Sequence, residues 1–119
     1  MTHSEKALLM AELAHNVNTT YSTAKGETGH VDWEEAPVWQ RETMIAGVAF
    51  LLANPNATPE ETHNSWMAKK EEDGWRYGHI KDPENKFHPC MRPYYQLPLD
   101  QRVKDSLFLA VVRTLEKRL

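Results

Sequence analysis

Seven prolines lie between residues 37 and 98, and together with the glycines they dictate where helices can begin and end. Proline lacks the amide donor a helix interior needs, and it pushes the residue before it out of the helical region. Pro37 therefore reads as a helix start and Asn54-Pro55 as a helix end, while Pro89, Pro93 and Pro98 cut the following segment into extended pieces. The punctuation leaves room for four helices and one short ribbon.

Each interval carries a helical signal. From Glu5, the residues Leu9, Leu13, Val17 and Tyr21 recur every four positions, with Ala14 and Ala24 beside them, and predict a first core helix ending near Gly26. Residues 26–36 hold two glycines, His30, Asp32 and Glu34-Glu35 around one large aromatic, and read as an ordered loop pinned by Trp33. Between Val38 and Ala53, the residues Met44, Ile45, Val48, Leu51 and Leu52 give a second helix a broad apolar face. Thr58-Pro59-Glu60-Glu61 has the threonine cap, the proline at the first helical position and the glutamate three residues on that satisfy orphan amides, so a third helix is expected over 59–73. His63, Trp66, Met67 and Lys70 share one of its faces before Gly74 ends it. Trp75, Tyr77 and Phe87 flank Asp82-Pro83-Glu84-Asn85, which predicts that 75–81 and 86–91 pair as a β-hairpin. Val103, Leu107, Ala110, Val111 and Leu115 mark a terminal helix. The expectation is a mainly α fold, a four-helix single domain over 1–119 with a small β-hairpin.

At 119 residues such a domain buries about two-thirds of its surface and needs no staples. Fourteen Lys and Arg against 17 Asp and Glu give a net charge of −3, which argues against a nucleic acid or an acidic membrane surface as partner. The one cysteine, Cys90, excludes an intrachain disulfide, the start Met-Thr-His-Ser-Glu lacks a secretory pattern, and a cytoplasmic protein is expected. On that expectation the sequons at Asn18 and Asn56 are accidents of composition.

Catalytic and metal chemistry find little support. His79 and His88-Pro89-Cys90 lack the paired spacing of a zinc site. Cys90 with His63 or His88 could imitate a thiol and its base, but its proline-stiffened setting favours a structural residue. There is no glycine-rich phosphate loop, no G-x-S-x-G and no H-E-x-x-H, and the carboxylate pairs fall at a loop and at helix ends. No enzyme and no cofactor are expected. What stands out is the density of flat rings and cations: Trp66, Lys70, Trp75, Arg76, Tyr77, Lys81, Lys86, His88 and Arg92 fall within 27 residues. Rings stack on a nucleobase while Lys and Arg neutralise phosphates, so the mixture suits an anionic nucleotide. The plainer reading is that both tryptophans and Tyr77 fill the core.

The strings Trp33-Glu34-Glu35-Ala36-Pro37, Thr58-Pro59-Glu60, His63-Asn64-Ser65-Trp66, Gly74-Trp75-Arg76-Tyr77-Gly78, Lys81-Asp82, His88-Pro89-Cys90, Pro93-Tyr94 and Lys104-Asp105-Ser106-Leu107 resemble the ryanodine receptor repeat domain. The stand-alone repeat of bacterial and phage proteins is the closer likeness, and the similarity runs from about His15 to about Leu115. The resemblance implies a mainly helical fold with a small ribbon and no known catalysis. In the large animal calcium channels the repeats form tandem pairs associated with an adenine nucleotide site, and a single copy would need a homodimer to reproduce such a pair. Of that site, the resemblance carries over the tryptophan of the third helix as Trp66. It also carries over a basic residue four positions on, Lys70, in place of arginine, and a polar residue before the ribbon's proline, His88, in place of asparagine.

The expected function is thus a non-enzymatic module that binds an adenine nucleotide or an ADP-ribose-like signal. In it Trp66 stacks on the base and His88 meets its polar edge. Lys70, Lys81 and Arg92 neutralise phosphate, and Trp75 and Tyr77 shape the wall. The alternative is a protein-interaction module whose aromatic segment buries against another chain, since interfaces enrich the same residues.

Overall fold

A computed structural model describes residues 1–119. Four helices, α1 (His3–Ala24), α2 (Val38–Ala53), α3 (Pro59–Glu72) and α4 (Leu99–Arg118), account for most of the chain, and two short strands, β1 (Arg76–Tyr77) and β2 (Phe87–His88), lie between α3 and α4. The fold is mainly α. Packing is cyclic: α1 touches α2 and α4, and α3 closes the ring against the same two helices. No helix is long and apolar enough to cross a membrane.

Helix boundaries follow local chemistry. Thr58 accepts from the Glu61 amide at 3.2 Å while the Glu61 carboxylate accepts from the Thr58 amide at 3.0 Å, so α3 starts on the expected reciprocal cap. Thr2 and Glu5 cap α1 in the same way, two residues before the apolar pattern begins. At the other end of α2, the Arg113 guanidinium donates to the carbonyls of Leu51 and Asn54 at 2.8 and 2.6 Å, which ties that helix terminus to α4.

The structure corrects the helix faces. In α1 the buried residues are Met10, Ala11, Ala14, His15 and Ser22, whereas Leu13 and Val17 of the predicted stripe are exposed. In α4 the buried residues are Phe108 and Val112, one position round from the predicted Leu107 and Val111. The reason is common to both. The inward face of each helix is apolar along only part of its length, and a search for apolar spacing follows the longest run of large side chains rather than the buried face. The core consists of Met10, Ala11, Ala14, Trp33, Val48, Leu51, Phe108 and Val112. The same helix faces continue past it as Asn18 and Ser22, Gln40 and Thr43, and Gln101, Lys104 and Asp105. Half of the bundle interior is therefore polar.

Two further differences concern the segment after α3. β1 and β2 are parallel, with Arg76 opposite Phe87 and Tyr77 opposite His88, and so do not form the predicted hairpin. The Asp82 carboxylate accepts from the Asn85 amide and side chain at 3.2 and 2.8 Å, and Lys86 takes φ 61°. This closes a tight turn whose antiparallel bridge is Asp82 to Phe87. The chain has thus reversed twice by Phe87, and β2 returns in the direction of β1. Tyr94–Gln96, between two of the prolines, is a 3₁₀ turn rather than an extended piece.

Gly78 allows the ribbon to close. A Cβ there would lie 2.6 Å from Cβ of Phe87. Gly78→Ala should destabilise the protein by about 1–3 kcal/mol through overpacking. Urea unfolding checks this, and an unchanged midpoint would show that Phe87 moves aside freely.

Candidate ligand-binding site

Where the inward faces turn polar, the four helices enclose a cavity of about 180 Å³. Its walls are Asn18, Thr19 and Ser22 of α1, Gln40, Thr43 and Met44 of α2, Thr62, His63 and Trp66 of α3, and Gln101, Lys104 and Asp105 of α4. His30 from the loop after α1, and Lys81, His88 and Cys90 from the ribbon, also line it, and Phe108 and Leu97 contribute apolar wall. A smaller adjoining pocket of about 60 Å³ shares Gln40, Thr43, Met44, Trp66, Lys81 and His88 with it and adds Trp39, Lys70 and Trp75. The shared residues make the two spaces neighbours, with Trp66 at their junction.

Trp66 is half-buried. His63 stacks on it with ring centroids 5.6 Å apart and planes 28° from parallel, so a flat guest would have the opposite face. His88 meets it edge-on at 5.0 Å and 73°. The His63 Nε2–H donates to the Arg92 carbonyl at 2.8 Å, which fixes the tautomer and leaves the Nδ1 lone pair 3.9 Å from the Asp105 carboxylate. Burial lowers the proton affinity of His63 and pushes that of His88 down to about 3, so both rings are neutral at physiological pH. The His88 Nδ1 accepts from the Cys90 amide at 3.0 Å, which places the ring proton on Nε2.

Lys70 is 4% exposed, and its ammonium sits over the rings of Trp75 and Trp39 at 4.2 and 4.3 Å from their centroids, with Trp66 at 5.9 Å. No carboxylate lies within ion-pair distance of Lys70 or Lys81. Burial, reinforced by the neighbouring Lys81, pulls the Lys70 ammonium down to about 8. Burial likewise lowers Lys81, with Lys104 adding repulsion. Lys104 is compensated. It donates to Glu27 at 2.8 Å, and the same carboxylate accepts from Lys25 at 2.6 Å, Gln101 at 2.9 Å and His30 at 2.8 Å. Desolvation works against the charge on Glu27, but these four donors hold its carboxyl well below the ordinary carboxylate range. Burial raises Asp105 to about 7 and the Cys90 thiol to about 11, which makes that thiol a poor nucleophile.

Of the residues singled out in the sequence, Trp66, Lys81 and His88 line both spaces, and Lys70 and Trp75 line the smaller one. Tyr77 and Arg92 line neither. Tyr77 is exposed on the far face of β1, and the Arg92 guanidinium lies 5.8 Å from its ring, so these two pair with each other instead. Sequence reasoning missed Trp39, Asn18, Gln40, Gln101, Lys104 and Asp105. The signal was available as polar residues at helical spacing: Asn18 with Ser22, Gln40 with Thr43, and Gln101 with Lys104 and Asp105.

The fold and site define a small helical domain with a partly open cavity whose wall mixes polar, apolar and cationic side chains. The RyR domain family model matches residues 51–116, more than half of the chain, and the chain belongs to that family.

Proposed function

We propose that the protein is a non-enzymatic binding module for an adenine nucleotide or a nucleotide-derived signal such as an ADP-ribose derivative. The observation that carries this reading is the pair of ammonium groups, Lys70 and Lys81, that have no carboxylate within ion-pair distance and line the same pocket as the half-buried Trp66. The Lys70 ammonium is buried without a counter-ion, which is costly, Lys81 adds a second unpaired cation, and a bound phosphate supplies the missing charge. The open face of Trp66 stacks on the base, and the free Nε2–H of His88 donates to a ring nitrogen. Tyr77 and Arg92 drop out of the proposed site. On this reading the module is cytoplasmic and reports or sequesters a messenger in conflict between bacteria and phage.

Titration calorimetry with AMP, ADP and ADP-ribose tests the reading. Trp66→Ala should weaken binding at least tenfold, since base stacking is worth about 1–3 kcal/mol. Lys81→Ala should also cost about tenfold, and the loss should shrink at high salt because the side chain is exposed overall. A Trp66→Ala protein that folds and keeps its full affinity places the ligand elsewhere. A chain that binds no nucleotide yet captures a defined protein through the ribbon makes it an interaction module.

A further inference from the structure

The larger cavity asks for something different from the smaller pocket beside it. In the smaller pocket, Lys70 and Lys81 are cations without a carboxylate at ion-pair distance. The larger cavity holds a buried acceptor without a donor. The Asn18 side chain donates its amide to the Lys104 carbonyl at 3.2 Å, while its Oδ1 is fully buried and has no donor. The Nδ1 lone pair of His63 faces the Asp105 carboxylate at 3.9 Å, too far for a hydrogen bond, and no other side chain donates to either. Asn18, His63 and Asp105 come from three different helices and all line the same space. A buried acceptor without a donor is costly, and that cost falls on Asn18 Oδ1; with His63 Nδ1 and the Asp105 carboxyl beside it as further acceptors, the cavity is complementary to a guest that carries several donors.

We infer that the larger cavity takes a phosphorylated sugar with free hydroxyls, a ribose 5-phosphate unit, with its hydroxyl groups directed to Asn18, His63 and Asp105 and its phosphate at Lys81, towards Lys70 in the adjoining pocket. Sugar hydroxyls are donors of the right kind: neutral, closely spaced on one ring, and able to accept as well as donate. A second phosphate does not suit the Asn18 and Asp105 side of the cavity, where their oxygens would oppose it, and an apolar group leaves Asn18 Oδ1 unpaired. The inference rests on the nucleotide reading above for the natural ligand and narrows it. A compound whose terminal ribose is free, as in ADP-ribose, fits better than AMP, whose ribose is capped by the base.

Calorimetry of the full chain with inorganic phosphate, ribose 5-phosphate, AMP and ADP-ribose, each against wild type and Asn18→Ala, decides the matter. Ribose 5-phosphate should bind at least tenfold more tightly than inorganic phosphate, and ADP-ribose more tightly than AMP. Asn18→Ala should weaken ribose 5-phosphate and ADP-ribose about tenfold and leave inorganic phosphate unchanged, and the last comparison shows that the variant is folded. If ADP-ribose and AMP bind equally well and Asn18→Ala affects neither, the sugar assignment is wrong while the nucleotide reading stands. If ribose 5-phosphate binds in the Asn18-dependent way but no adenine compound does, the sugar assignment stands and the nucleotide reading falls. Absence of binding by all four overturns both.

Discussion

Replacing Trp33 with alanine should lower the stability of the fold by about 3–5 kcal/mol, the usual cost of removing a large buried aromatic. The indole is 6% exposed and belongs to the core with Met10, Ala14 and Val48. Its backbone amide donates to the Asn16 side chain at 2.9 Å, His15 meets its edge at 5.9 Å, and the Arg41 guanidinium lies 5.3 Å from its ring. The loss is therefore more than a cavity, because Trp33 is the anchor that holds the loop carrying Glu27 and His30 beside the space between the helices. Thermal unfolding should show a midpoint about 10–20 °C lower for a chain of this size. A fall of only one or two degrees would mean that the loop is held by Glu27 alone.

The second large effect depends on pH. Burial places the Asp105 carboxyl near 7, well above its unfolded value. Between about pH 4 and pH 7 the unfolded chain has released this proton while the folded chain retains it, so this group's contribution to stability falls as pH rises through that window. Above pH 7 the folded carboxylate is ionised and its desolvation cost is fully felt. Asp105→Asn should therefore stabilise the protein by about 2–4 kcal/mol at pH 8, with the gain vanishing towards pH 4. The groups around it contribute with different signs. The Lys104 ammonium on the same helix favours the charged carboxylate. Across the cavity, His63 and His88 have depressed proton affinities, and their contribution falls as pH drops below about 6.5. Comparing variant with wild type at each pH separates the Asp105 share from theirs. A difference that stays flat from pH 4 to pH 8 would show that Asp105 is hydrated rather than desolvated.

These two residues also show where the sequence was readable. Trp33 was legible because a lone indole among glycines and acidic residues has nowhere to go but inward. The α3 cap was legible because Thr58, Pro59 and Glu61 act within one turn. The parallel course of β2 was not, because it depends on a double reversal set by the Asp82 turn, and alternation along a strand is silent about the partner's direction. The site was half legible. Trp66, Lys70, Lys81 and His88 lie close together in the chain and stood out as a cluster. Asn18, Gln40 and Asp105 lie far apart, are unremarkable singly, and meet only because four helices turn polar at the same level. The exposure of Leu13 and Val17 follows from the same arrangement, since the apolar stripe of α1 lies beside its buried face rather than on it.

One consequence follows from the carboxylate of Glu27, which already holds Lys104, Lys25, His30 and Gln101 around itself. The chain keeps a resident anion at that rim. A visiting phosphate that reached for Lys104 would have to evict it and would exchange one set of contacts for another, with no net gain in charge pairing. Under the proposed function, selectivity among negatively charged visitors would fall to the two lysines that have no resident, with the rim beside α1 as a fixed frame against which they choose.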